Sequence, residues 1–139
     1  MKLSRSVGYG LVAVGQIAQS STSDPVLAKT ISKEHKIPLD YLLKILQQLV
    51  RAGILNGIRG PKGGFKLQRP ANKITLLDVV EAVDGPFVTT PDLGGAKATP
   101  SFDQKVASAY SKASRDAANI LKKTTIASLG NPGRKGKKK

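Results

Sequence analysis

Between residues 37 and 70 the chain reads IPLDYLLKILQQLVRAGILNGIRGPKGGFKLQRP, and this stretch restricts the possible folds more than any other. Pro38 drives Ile37 out of the helical region and itself suits a helix entry, so a helix starts here. Leu39, Leu42, Leu46, Leu49 and Val50 recur at spacings of three and four and are expected to form its core side. At about 100° per residue, Asp40, Lys44, Gln47, Gln48 and Arg51 cluster on the opposite arc, with Tyr41 at its edge. Gly53 suits a left-handed helix cap. Residues 54–59 and 65–68 then alternate as two antiparallel strands around Gly60-Pro61-Lys62-Gly63-Gly64. One amphipathic helix, a Gly turn and a hairpin with a Gly-rich tip is the order of a winged helix-turn-helix. Such arcs carry the residue types that contact phosphates and base edges. In the tip, Arg59 and Lys62 supply cations for phosphates or a narrow minor groove.

The flanking segments complete that unit. Residues 4–19 are expected to form a first helix, although Gly8, Gly10 and Gly15 each weaken it by roughly 1 kcal/mol relative to Ala. Residues 27–35 read as a short second helix with Ile31 inward, followed by the break at Lys36-Ile37-Pro38. Residues 74–83 read as a fourth helix, capped by Thr75 with Asp78 three residues later, whose Leu76, Val79, Val80 and Val83 close the core.

Residues 87–101 hold two Pro and adjacent Gly without periodicity and are expected to be a linker loop. Residues 102–129 form a long helical candidate in which Phe102, Val106, Tyr110, Ala113, Ala117, Ile120 and Thr124 step at three and four. A long helix leaving a small domain has little to bury against, so pairing with a second copy is the economical expectation. Packing back on the first helix is the alternative. Residues 130–139 read as a disordered basic tail.

Of 139 residues, 23 are Lys or Arg and 9 are Asp or Glu, a net charge of +14 that favours a polyanionic partner. The last six residues contribute five of those positive charges. There are no cysteines, which removes thiolate metal sites, disulfides and thiol sensing together. No segment approaches the ~20 apolar residues of a membrane span. Lys2 and Arg5 before an apolar run imitate a signal peptide, but Leu3, Val7, Leu11, Val14 and Ala18 fall at helical spacing, so a packed helix in a cytoplasmic protein is expected. The Gly-rich tip lacks the spacing and the strand-to-helix context of a P-loop. Asp78, Glu81 and Asp84 have no His or ligand partner in pattern, and His35 stands alone at a helix end, so neither an enzyme nor a metal site is expected.

The chain resembles the Rrf2 family of bacterial winged-helix transcription regulators. The likeness runs through Lys2-Leu3-Ser4, Tyr9, Ile31, Tyr41-Leu42 and residues 49–55. It is strongest at Arg59-Gly60-Pro61-Lys62-Gly63-Gly64-Phe65-Lys66-Leu67, Arg69-Pro70 and residues 74–86. The resemblance implies a homodimer held by the long helix and bound to a near-palindromic operator on double-stranded DNA. It places Ser4 near phosphate, Asp40, Tyr41 and Lys44 toward the major groove, and Arg59 in the minor groove. Many members hold an Fe–S cluster through three Cys in the loop before the long helix. Residues 87–101 have none, so no cofactor is expected, and regulation would be by a small molecule, by a partner protein or by abundance alone. Leu43 stands where members often have Glu, so the resemblance implies no base preference.

The expected protein is thus mainly α with a small β-hairpin wing: a winged helix-turn-helix over residues 1–86, a linker over 87–101, a dimerisation helix over 102–129 and a basic tail. Its candidate DNA-binding residues are Ser4, Asp40, Tyr41, Lys44, Gln48, Arg51, Arg59 and Lys62. The expected function is that of a sequence-specific regulator, most simply a repressor. The competing expectation is a nucleoid-associated or adaptor protein that binds DNA without sequence preference.

Overall fold

A Pro-initiated helix whose apolar residues fall on one side has to bury that side, and the whole molecule is arranged around this requirement. The computed structural model describes residues 2–20, 24–89 and 91–133. In chain order the elements are α1 (Arg5–Ala18), α2 (Ala28–His35), α3 (Leu39–Arg51), β1 (Leu55–Ile58), β2 (Gly64–Leu67), a 3-10 turn (Ala71–Lys73), α4 (Leu76–Asp84), α5 (Pro100–Lys123) and α6 (Ile126–Leu129). The architecture is mainly helical with one two-stranded antiparallel hairpin, a winged helix-turn-helix followed by a long helix.

Helix α3 buries Leu42, Ile45, Leu46 and Leu49 against Val14 and Ile17 of α1, Ile31 of α2, Ile54, Leu55, Ile74 and Val79. The expected stripe is therefore shifted. Leu39 and Val50 are only half-buried, while Ile45 takes a central place. Ile45 joins Leu42, Leu46 and Leu49 at spacings of three and four, and it lies beside Gly10 of α1. A Cβ there would lie 3.4 Å from both the Ile45 and Val83 side chains.

Between α2 and α3 the chain turns through Lys36, which adopts a left-handed conformation (φ 56°, ψ 47°). The turn is closed by Ile37 N–H on the Ser32 carbonyl at 3.0 Å and by the Ser32 hydroxyl on the Ile37 carbonyl. A side chain in this region is strained by roughly 1–2 kcal/mol, which Gly relieves at some entropic cost. Lys36→Gly is therefore expected to raise stability by about 0.5–1 kcal/mol. Chemical denaturation measures it, and a lower midpoint would refute it.

The hairpin pairs Leu55 with Leu67 and Ile58 with Gly64, so residues 59–63 form its tip. Val26, just before α2, adds an isolated bridge to Phe65 through bonds of 2.9 and 2.8 Å. This ties the wing to the helix-turn-helix. Glycine is required where the tip closes: a Cβ on Gly63 would drive into the Ile58 carbonyl, and Gly64 sits at φ +142° with the Val26 carbonyl 2.6 Å from where a Cβ would be.

The expected cap of α4 is present as a complete capping box. Thr75 Oγ1 accepts from Asp78 N–H at 3.0 Å, and Asp78 Oδ2 accepts from Thr75 N–H at 2.9 Å.

Helix α5 begins two residues earlier than expected, at Pro100, with Thr99 as its cap. It ends at Lys123, because Thr124 and Thr125 extend and bridge to Thr75. Leu76 N–H bonds the Thr124 carbonyl and Ile126 N–H bonds the Ile74 carbonyl, each at 2.8 Å. The helical stretch expected to run to residue 129 is thus two elements, and α6 lies against α1 with Ile126 in the core. Beyond it, Pro132 packs over Gly15 of α1, within 3.0 Å of where a Cβ would sit. Of the basic tail, residues 134–139 lie outside the described residues.

Candidate nucleic-acid interface

Burying Leu42, Ile45, Leu46 and Leu49 turns Asp40, Lys44, Gln47 and Arg51 of α3 outward, and all four are exposed. Across from them stands the hairpin, whose tip carries exposed Arg59 and Lys62. A groove of about 320 Å³ runs between helix and hairpin, with Gln47 and Val50 on one side and Ile58, Arg59 and Phe65 on the other. An exposed polar helix face beside a cationic loop is the arrangement that admits a duplex: the helix to a groove, the loop to the adjacent backbone or minor groove.

Arg69, the remaining arginine of the hairpin region, is engaged at its base. It reaches the Gly53 carbonyl at 3.4 Å, the Lys73 carbonyl at 3.1 Å and the Asp78 carboxylate at 3.5 Å. It joins the end of α3 to the start of α4, which leaves Arg59 and Lys62 as the forward cations of the wing.

Two of the sequence candidates flank the arc. The Tyr41 hydroxyl is 2.6 Å from Ser6 Oγ, and its ring meets Tyr9 edge-on at 5.4 Å and 83°. Ser4 caps α1 by accepting from Val7 N–H at 3.1 Å and donates to Asp84 Oδ1 at 3.2 Å. Its hydroxyl therefore already joins α1 to the end of α4.

Gln48 is not brought to the arc. It is half-buried and its amide donates to the Val83 carbonyl of α4 at 3.4 Å. The helical wheel puts it at the margin of the outer face, and the neighbouring helix captures it. Gln47, placed on the arc by the same wheel but absent from the candidate residues, lines the groove opposite Arg59.

The Rrf2 family, described as an iron-dependent transcriptional regulator, matches residues 3–132. The chain belongs to the Rrf2 family. Relatives include the HTH-type transcriptional regulator IscR of Cereibacter sphaeroides, 41% identical over 86 residues, covering 60% of this chain and 56% of that protein. The chain therefore spans about half the length of this relative. BadM of Rhodopseudomonas palustris is 33% identical over 133 residues, 93% of this chain and 81% of its own length. Among solved structures, CymR, the global cysteine regulator of B. subtilis, superposes with a TM-score of 0.75. It is 24% identical and covers 93% of this chain and 95% of its own, a likeness of fold.

The Rrf2 description names iron, and the residues present do not supply what a Cys-ligated cluster needs. The chain has no cysteine, and the described residues contain no group of three or more His, Cys, Asp or Glu able to hold a metal. Its one histidine, His35, bonds through Nε2 to the Gln16 side chain. Among the described residues no helix is long and apolar enough to cross a membrane.

Proposed function

We propose that this Rrf2-family chain is a sequence-specific, DNA-binding transcriptional regulator. It acts in the cytoplasm as a homodimer on a near-palindromic operator and works by repression, without a Cys-ligated Fe–S cluster. The observation that carries this reading is the outward face of α3 set across a groove from the Arg59 and Lys62 wing. In the proposed complex α3 enters the major groove. Lys44 and Gln47 donate to base edges or phosphates, Asp40 accepts from cytosine N4, and Arg51 reaches backbone. Arg59 and Lys62 hold the adjacent minor groove or its phosphates. Ser4 and Tyr41 hold the flank near phosphate, and Gln48 positions α3 against α4.

The dimer is supported by α5. The helix rests on α4, whereas Phe102 and Ile120, eighteen residues apart and so on one face, are 58% and 67% exposed, and Tyr110 between them along the chain is 65% exposed. Closing that face with a second copy creates a two-fold axis, and a two-fold dimer binds inverted half-sites. An unidentified small molecule or protein serves as effector in this reading.

Selection of bound genomic fragments, followed by footprinting, is expected to return a short inverted repeat. Fragments with no shared sequence would overturn the proposal. With the selected operator, Arg59→Ala is expected to cost about 1–3 kcal/mol of binding. Unchanged affinity in a titration would remove Arg59 from the interface.

The second reading is DNA binding without sequence preference, favoured by the five basic residues within 134–139. It differs in outcome. Deleting residues 134–139 would nearly abolish such binding, whereas the regulator reading expects retained specificity and a shallower salt dependence.

A further inference from the structure

On the outward side of α3, beside its charges, one leucine, Leu43, is left exposed. It is 38% exposed and is not among the side chains packed on the core. Gln47 lies one helical turn further along the same side, and Val50 one turn beyond that. Across the groove from Gln47 and Val50 is Ile58 of β1, 41% exposed. Leu43 and, two turns on, Val50, which is half-buried against the core, give α3 an apolar band beside the arc, and Ile58 faces Val50 across the groove. Asp40, Lys44 and Arg51 border it on the helix, and Arg59 and Lys62 border it on the wing, all of them exposed.

Those borders decide what can cover the band. Four of the five charges are cationic, and residues 1–86 as a whole carry 12 basic against 6 acidic side chains. The cations fit a polyanion whose interior presents small apolar groups. Duplex DNA has this composition: phosphates outside, and in the major groove the C5-methyl group of thymine, whose partners are apolar side chains. Leu43 is the fifth residue of α3, in its N-terminal half, where a recognition helix meets base edges.

We infer that Leu43 is a specificity-determining residue that reads a thymine methyl group in each operator half-site. The inference rests on the regulator reading above and names one chemical group within it. Asp40, Lys44 and Gln47 supply the polar contacts around it, and the methyl contact selects thymine over cytosine at one position, which hydrogen bonding by Leu43 could not do.

The test alters the DNA rather than the fold. An operator obtained by selection is resynthesised with deoxyuridine replacing thymidine at one position at a time, a change that removes only the methyl group. Binding is then titrated with the full native chain. One thymine per half-site is expected to respond, with affinity falling about fourfold for one half-site and about fifteenfold for both, as burial of a single methyl-sized group implies. Leu43→Ala should bind the thymidine operator more weakly and no longer distinguish it from the deoxyuridine version. Equal affinity of the native chain for all thymidine and deoxyuridine operators would overturn the inference. So would a Leu43→Ala chain that kept the full difference. Either result would leave the regulator reading intact, whereas a selection returning no shared sequence would overturn that reading and this inference with it.

Discussion

Replacing Tyr110 and Ile120 together by Glu is expected to give a folded monomer that holds the operator at least about 100-fold more weakly than the native chain. The magnitude is that of an avidity term, since linking two half-site contacts in one dimer gains about 10²–10⁴ without any new contact. Both side chains are about two-thirds exposed, so their replacement leaves the chain's own packing in place. Elsewhere in α5 Ala118 is buried and Leu121 half-buried, and the helix rests on α4. In a dimer the same substitutions bring carboxylates together on a surface meant to exclude water. Sedimentation separates the outcomes. A double variant that remained a stable dimer would place the interface elsewhere. Cutting the chain before α5 is a poorer probe, because it also removes Ile126 from the core.

Ile126→Ala is expected to lower stability by about 2–5 kcal/mol, the range for truncating a fully buried Ile. Ile126 is 2% exposed and packs in the same cluster as Leu46, Ile74 and Val79. Its N–H is also bonded to the Ile74 carbonyl, so the segment after α5 is both stitched and packed to the helix-turn-helix. A shift in the urea midpoint at constant slope would report the loss. A loss within about 0.5 kcal/mol, the range of surface substitutions, would contradict a core role.

What could be read from the sequence was mostly what is local. The capping box of Thr75 and Asp78 depends on residues three apart, and Gly53, at φ +79° just after α3, depends only on its own backbone. The order of short helix, break, long helix and hairpin follows from Pro38 and from the spacing of leucines. What the sequence concealed is non-local. Nothing in the composition around Val26 announces that it will bridge Phe65, 39 positions later. The helical phase of the long stretch runs straight through Thr124, so the break appears only when Ile74 and Leu76 offer their backbone groups as partners. Ile45 falls at the same three-and-four spacing as Leu42, Leu46 and Leu49, and it packs beside Gly10 of α1.

The candidate interface shows the same division. The wheel placed Asp40, Lys44 and Arg51 on an outer face, and they are exposed there. Gln48 was assigned to that face because its angle is marginal, and the Val83 carbonyl of α4 decides its position. In the sequence Leu43 bears on the site only as a departure from the Glu frequent in the family. Its interest arises only from the finding that the core leaves it out.

The central claim, that the α3 face and the wing read a sequence, is tested most directly by a single ratio. The full native chain is titrated at physiological salt against the selected operator and against the same duplex with its half-sites scrambled. Affinity at least about 10³-fold higher for the operator is expected. Equal affinity for the two duplexes would contradict it.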